Sequence, residues 1–216
     1  MHRQITFSKT RITVIKKIAL AAALIGIIFY CLTDLKPDTK VFLGDLHKFR
    51  SNKNLAFRQS PESPLSTTQK AAFDSLKYYP GELAFVIEAT ISREAKPDTV
   101  LMQMSDNKAE KYLHWGQAQF QLAQKSQILS LYLKANGTDS TLFVPFTDLT
   151  NGHESYGGGR YIDAVIPKLN ETKSTLDFNR AYNPYCAYNG EYSCPVPPAD
   201  NRLQVAIAAG EKAFHD

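Results

Sequence analysis

The sequence predicts a mainly β fold, an antiparallel sandwich or small barrel preceded by two helices and an N-terminal membrane segment. Three observations carry that expectation. The apolar period changes from about 3.6 to 2 near Glu82. The strand-like runs beyond it follow one another through short turns, with no helical stretch between them, which favours antiparallel pairing over a parallel sheet. An apolar run behind a basic cluster opens the chain. The expected organisation is a basic stub and membrane segment at 1–35, a helical lead-in at 36–80 and a β domain at 81–216.

Arg3, Lys9, Arg11, Lys16 and Lys17 all precede the first acidic residue, Asp34. They account for the formal charge of +4, because setting them aside leaves 20 basic against 21 acidic residues. The nearly neutral remainder argues against nucleic acid as a partner, which needs a basic face to neutralise phosphates. Hydrophobic residues make up 44% of the 216-residue chain, enough for a real core. Residues 18–32, IALAAALIGIIFYCL, are short for a full span of about 20 residues but suit a short anchor or a signal core. Ile27, Ile28, Phe29 and Tyr30 end the run where cleavage needs small residues, and Tyr30 also spoils a lipid-attachment reading of Cys31. An uncleaved single-pass anchor is therefore expected, with the N-terminus inside and the domain outside, periplasmic or extracellular. Secretion after cleavage is the alternative.

Residues 41–58 read as an amphipathic helix that SPESPL, residues 60–65, stops. A second short helix follows, capped by Ser66 or Thr67, with Ala71, Ala72, Phe73 and Leu76 as its packing face. Leu83, Phe85, Ile87, Ala89 and Ile91 then share one strand face. Gln117, Gln119 and Gln121 point outward opposite Phe120 and Leu122, and Leu129, Leu131 and Leu133 line up on the next run. Asn136-Gly137 before TLFVPF is a hairpin signal, and Pro145 in that run suggests an edge strand or a bulge. Further strands are expected at 99–104, 111–115, 161–166 and 203–208.

Candidate chemistry centres on two loops. In SYGGGRYIDA, residues 155–164, Gly157, Gly158 and Gly159 run into a strand and not into a helix, so a sharp bend is favoured over a phosphate cradle. Arg160 beside it suits a carboxylate or phosphate, or else forms a salt bridge to Asp163 or Asp177. Cys186 and Cys194, with seven residues between them, fit a disulfide closing a short loop outside the cytoplasm, with a metal site or free buried thiols as alternatives. No CxxC, HxH or HExxH pattern occurs, and His153 stands alone in a polar turn, so no metal and no cofactor is expected. No GxSxG elbow is present. The segment DFNRAYNPYCAYNGEYSCPVPPADNRL, residues 177–203, is too rich in Asn, Tyr and Pro for a helix or strand. It reads as an ordered loop held by side-chain to backbone hydrogen bonds.

At these residues the chain resembles domain-of-unknown-function family 1684 of bacteria and archaea over about 44–214. The match is carried by SPL at 63–65, LKYYP at 76–80, LFVPFTDLTNG at 142–152, ESYGGGRYIDA at 154–164, LDFNRAYNPYCAYN at 176–189, CPVPPADNRL at 194–203 and AAGEK at 208–212. The resemblance marks Tyr156, Gly157, Arg160, Asp177, Asn179, Tyr182, Asn183, Cys186, Cys194, Asn201 and Arg202 as motif positions. It implies no settled activity. Whether the chain is an enzyme stays open, and two readings remain. One is an extracytoplasmic module that binds a small polar or anionic ligand, or a partner, through loops bearing Tyr156, Gly157, Gly158, Gly159, Arg160, Asp177, Asn179, Asn183 and Arg202. The other is a hydrolase-like enzyme whose acid and base are among Asp163, Asp177 and Glu154.

Overall fold

Helix α1, Thr39–Gln59, realises the amphipathic lead-in and buries Leu46 and Phe57 on one stripe. Its end is fixed by the SPL turn, where the buried Ser63 hydroxyl donates to the Phe57 carbonyl at 2.6 Å and accepts from Leu65 N–H. Helix α2, Thr67–Ala72, opens on a capping box: Ser66 accepts from Gln69 N–H while the Gln69 side chain accepts from Ser66 N–H. It is shorter than the apolar spacing suggests. Phe73 and Leu76 are buried from the extended chain beyond it, and Ala71 and Ala72 stay exposed.

This computed structural model describes residues 38–135 and 141–214, together with helical positions 17, 18, 20, 22, 23, 25 and 26. The chain divides into two units, residues 1–42 and 43–216. Most of the expected anchor at 18–32 and the Asn136-Gly137 turn lie outside the described residues. No helix among the described residues is long and apolar enough to cross a membrane.

Six strands form one antiparallel sheet: β1 Val86–Gln103, β2 Ala109–Leu122, β3 Lys125–Lys134, β4 Thr141–Phe146, β5 Arg160–Val165 and β6 Lys173–Asp177. Their order is β5-β4-β3-β2-β1-β6. The two end strands approach each other, Ser174 Oγ donating to the Val165 carbonyl at 3.2 Å, so the sheet curls into a nearly closed barrel. Ala89, Ala118, Leu129, Leu131, Leu142, Val144 and Leu176 are buried in its interior, and those on β1 to β3 follow the alternation read from the sequence.

Four elements differ from expectation, each for a local reason. Residues 83–85 form a 3-10 turn ahead of β1. The segments expected separately around 83–91 and 99–104 belong to one strand, whose register breaks between Arg93 and Asp98 where Pro97 removes a donor. β6 carries one buried side chain, Leu176, in five residues and so shows no period. Residues 203–208 keep the period, with Leu203, Val205 and Ile207 buried, but form no strand. Their backbone is bonded elsewhere: Leu203 N–H to the Thr147 carbonyl, and Ile207 N–H to the Asp148 carboxylate.

Pro145 is not at an edge, since β4 lies between β3 and β5. The β3–β4 ladder is reduced to the pair Tyr132–Phe143. Beside it the fully buried Asn201 amide acts as a wedge, accepting from Ser130 N–H and donating to the carbonyls of Ser130 and Pro145. A side chain thus replaces the ladder bond that proline cannot make.

Candidate functional site

The expected site residues divide into those the fold uses internally and those it leaves accessible. Arg160 belongs to the first group. It is fully buried, and its partner is Asp148 at 2.8 Å, not Asp163 or Asp177. The same guanidinium donates to the carbonyls of Ile207, Ala209 and Glu211, at alternate positions of the extended C-terminal segment. Asp148 completes the lock by accepting from Thr150 N–H, Thr150 Oγ1 and Ile207 N–H. Arg160 is therefore the clamp that replaces a sheet ladder for residues 207–211.

The glycines ahead of it make the bend. Gly159 has φ +91°, and a Cβ there would lie 2.7 Å from the Phe146 carbonyl oxygen and from the Pro197 ring. Gly157 and Gly158 are exposed, and the loop leads into β5 without a helix N-terminus. Asp177 caps the turn that follows β6, accepting from Asn179 N–H, and pairs with Arg180. The buried Asn179 amide pairs with the backbone of Glu82 in both directions at 2.9 Å. Asn183 donates to the Lys212 carbonyl, leaving its buried Oδ1 without a partner. Arg202 is exposed. The carboxylates weighed for hydrolysis are each engaged separately, Glu154 with Lys212, Asp163 with the Tyr182 hydroxyl and Asp177 with Arg180, and Asp148 is held by Arg160. Among the described residues no group of three or more His, Cys, Asp or Glu is placed to hold a metal ion.

Two features form the accessible chemistry: Lys53, which the sequence reading passed over, and the cysteine pair, whose free-thiol state was one of the alternatives it left open. The first is Lys53 on α1. Its ammonium lies 2.7 Å from Glu211 Oε1, 4.6 Å from the Tyr182 ring centroid and 5.5 Å from that of Phe57. Glu211 is 1% exposed, and its other oxygen accepts from Asn183 N–H at 2.8 Å and from the Tyr188 hydroxyl at 2.5 Å. Gly210, at φ +75° and packed against the carbonyls of Phe178 and Ala181, sets the turn that delivers this carboxylate. Burial, then the charge of Glu211, pushes the Tyr188 hydroxyl well above its ordinary pKa, so it stays a donor. Lys53 lines a cleft of about 200 Å³ with Phe57, Ser60, Glu62, Ser63 and Tyr185. A larger cavity, about 470 Å³, lies along Val86–Thr90 and Gln119–Gln121 at the barrel wall. Its one charged lining residue, Glu88, is paired with Lys173, so it offers less chemistry than the Lys53 cleft.

The second feature is the cysteine pair. The expected disulfide is not formed: both Cys186 and Cys194 are free thiols. Cys186 N–H donates to Cys194 Sγ at 3.2 Å, and the two thiols share a hydrogen bond in place of a covalent link. The Tyr156 hydroxyl stands 3.9 Å from Cys186 Sγ, so the glycine loop and the aromatic loop meet at this sulfur. The Ser105 hydroxyl accepts from Cys194 N–H at 3.0 Å. Hydrogen bonding from Cys194, with help from Ser105 and Tyr156, holds the Cys186 thiol down to about 6 against the opposing effect of burial. The bond it donates and its burial push the Cys194 thiol up. Burial and the neighbouring sulfur push the Tyr156 hydroxyl up to about 12.

The family described as proteins of unknown function, DUF1684, matches residues 71–212, a stretch that includes both loops, both cysteines and Glu211. The chain belongs to the DUF1684 family. A solved structure is similar over most of the length. It is the solution NMR structure of the uncharacterized protein from gene locus rrnAC0354 of Haloarcula marismortui, 36% identical, covering 83% of this chain and 98% of that one with a TM-score of 0.66. No curated protein matches the chain. Lys53 lies outside the residues matched by the DUF1684 family and had one sequence signal. Leu46, Arg50, Lys53 and Phe57 share one helical stripe, so two basic residues sit where apolar ones are expected.

Proposed function

We propose that this DUF1684 protein is a membrane-tethered extracytoplasmic module that binds a small polar or anionic ligand in the cleft over Lys53. The observation that carries the reading is the ammonium itself. It has three donors, of which Glu211 occupies one side, while the two rings shield it from bulk water without using its remaining donor capacity. A ligand acid or hydroxyl in the 200 Å³ cleft would meet a fixed cation against the aromatic face of Tyr185. The loops expected to bind through Arg160, Asn179 and Asn183 act in this reading as the second layer that holds Glu211, Tyr182 and Tyr185 in place. The tether rests on the basic cluster before residue 18 and on Ile18, Leu20 and Ile25, each about two-thirds exposed, which a lipid phase would cover.

The test is thermal melting of the purified full chain against a panel of small organic acids and phosphorylated metabolites. A ligand present at about 100 times its Kd adds about 2.7 kcal/mol of stability, which raises Tm by roughly 5–10 °C in a chain of this size. Lys53→Met should remove that shift. A shift that survives Lys53→Met moves the site elsewhere, and no shift with any compound sinks the binding reading.

A further inference from the structure

We propose that the Cys186–Cys194 pair is a peroxide-reactive dithiol, in which Cys186 is the attacking thiolate and Cys194 the thiol that resolves it. The inference is independent of ligand binding at Lys53. It stands first on placement. Cys186 is half-buried on the turn Tyr185–Ala187, next to the exposed Tyr185, and its sulfur meets the Tyr156 hydroxyl, so it is the more accessible of the two thiols. Cys194 is buried beneath it, with its sulfur 3.2 Å from the Cys186 backbone nitrogen.

It stands second on the division of roles between the sulfurs. The thiolate is the nucleophilic form, and a thiolate needs donors around it. The Tyr156 hydroxyl stands 3.9 Å from the Cys186 sulfur, and hydrogen bonding from the Cys194 thiol contributes most to holding that sulfur's pKa down. Cys194, which gives its proton to that hydrogen bond, remains a thiol and so is the later actor.

The Cys186 thiolate attacks the nearer oxygen of a hydroperoxide, the O–O bond breaks, and alkoxide or hydroxide leaves and is protonated by water. The sulfur is oxidised to sulfenic acid by two electrons, which reduce the peroxide to an alcohol or water. Cys194 then attacks the sulfenic sulfur, its proton leaves with the displaced hydroxide as water, and the S–S bond closes. The loop between residues 186 and 194 must shift only enough to exchange a thiol hydrogen bond for a bond between the same two sulfurs.

The test treats the reduced full chain with one equivalent of hydrogen peroxide at pH 7 and maps the cysteine peptides by mass spectrometry, which separates Cys31 from the pair. The expected result is a Cys186–Cys194 link two hydrogens lighter. In Cys194→Ser, dimedone should capture sulfenic acid at Cys186, and in Cys186→Ser capture at Cys194 should fall at least tenfold. A second measurement needs no variant: iodoacetamide labelling of Cys186 in the unmodified chain should reach half its plateau rate near pH 6. Sulfenic acid captured equally at both positions, no link after peroxide, or labelling that rises only near pH 8.5–9 would each overturn the proposal.

Discussion

Arg160 shows how a residue's type can be read correctly and its role misplaced. Beside three glycines a guanidinium suggests an anion site, but sequence carries no burial, and here the anion is the protein's own Asp148 together with three carbonyls of the C-terminal segment. Removing one partner of a buried pair strands the other charge, at a typical cost of 3–5 kcal/mol. Arg160→Ala should therefore lower the unfolding free energy by about that much in urea titration, with the C-terminal segment loosened, and a loss under about 1 kcal/mol would reject the clamp. At the cysteines the direction with pH follows from the shift. In the native state Cys186 is held down to about 6, while in the unfolded chain it titrates near 8.5–9. Between those values the unfolded state holds more protons, so stability rises with pH in that window, is fully present above it and is lost as pH falls through about 6. Cys186→Ala should flatten the slope of the urea midpoint between pH 6 and 8, and an unchanged slope would contradict the assignment. Lys53 and Glu211 were legible only as irregularities: a cation on an apolar stripe and an acid in a glycine turn.

The elements were legible where side chains alternate against a core and not where side chains bond backbone. β1 to β3 were visible because Ile87, Ala89 and Ile91, then Phe120 and Leu122, then Leu129, Leu131 and Leu133 recur every second residue, whereas β4 was signalled by the Asn136-Gly137 turn before it. The 203–208 segment has the same alternation, yet Arg160 and Asp148 supply its partners from outside a ladder, a distinction that periodicity cannot make. β4 shows the converse. Its internal position despite Pro145 depends on the distant Asn201. Asn201→Ala should leave the Ser130 and Pro145 backbone groups buried and unpaired, costing about 1–3 kcal/mol each where water cannot reach, and hydrogen exchange should quicken first at β3 and β4. Exchange that quickens evenly over the sheet would argue against the wedge. At α2, Ser66→Ala removes half of the capping box and should cost about 1 kcal/mol. Because Gln69 also donates to the Tyr188 carbonyl, that substitution should loosen the aromatic loop as well as the helix.

On the scale of the whole molecule, the fold is a sheet nearly closed on itself, with α1, the glycine loop, the aromatic loop and the C-terminal segment joined at Glu211. Fold class and family were legible because both rest on repeated local pattern and long motifs. The site was less so, since it is made by residues 53, 182 and 211, which are brought together only by chain closure. The buried polar groups of the motifs hold that junction, and the exposed work is left to the Lys53 cleft. The most direct test is native mass spectrometry of the gently purified full chain, compared with Lys53→Met. The account predicts a small adduct on the unmodified protein that is absent from Lys53→Met while both remain folded by circular dichroism. An adduct retained by folded Lys53→Met, or the same bare mass for both proteins, would contradict it.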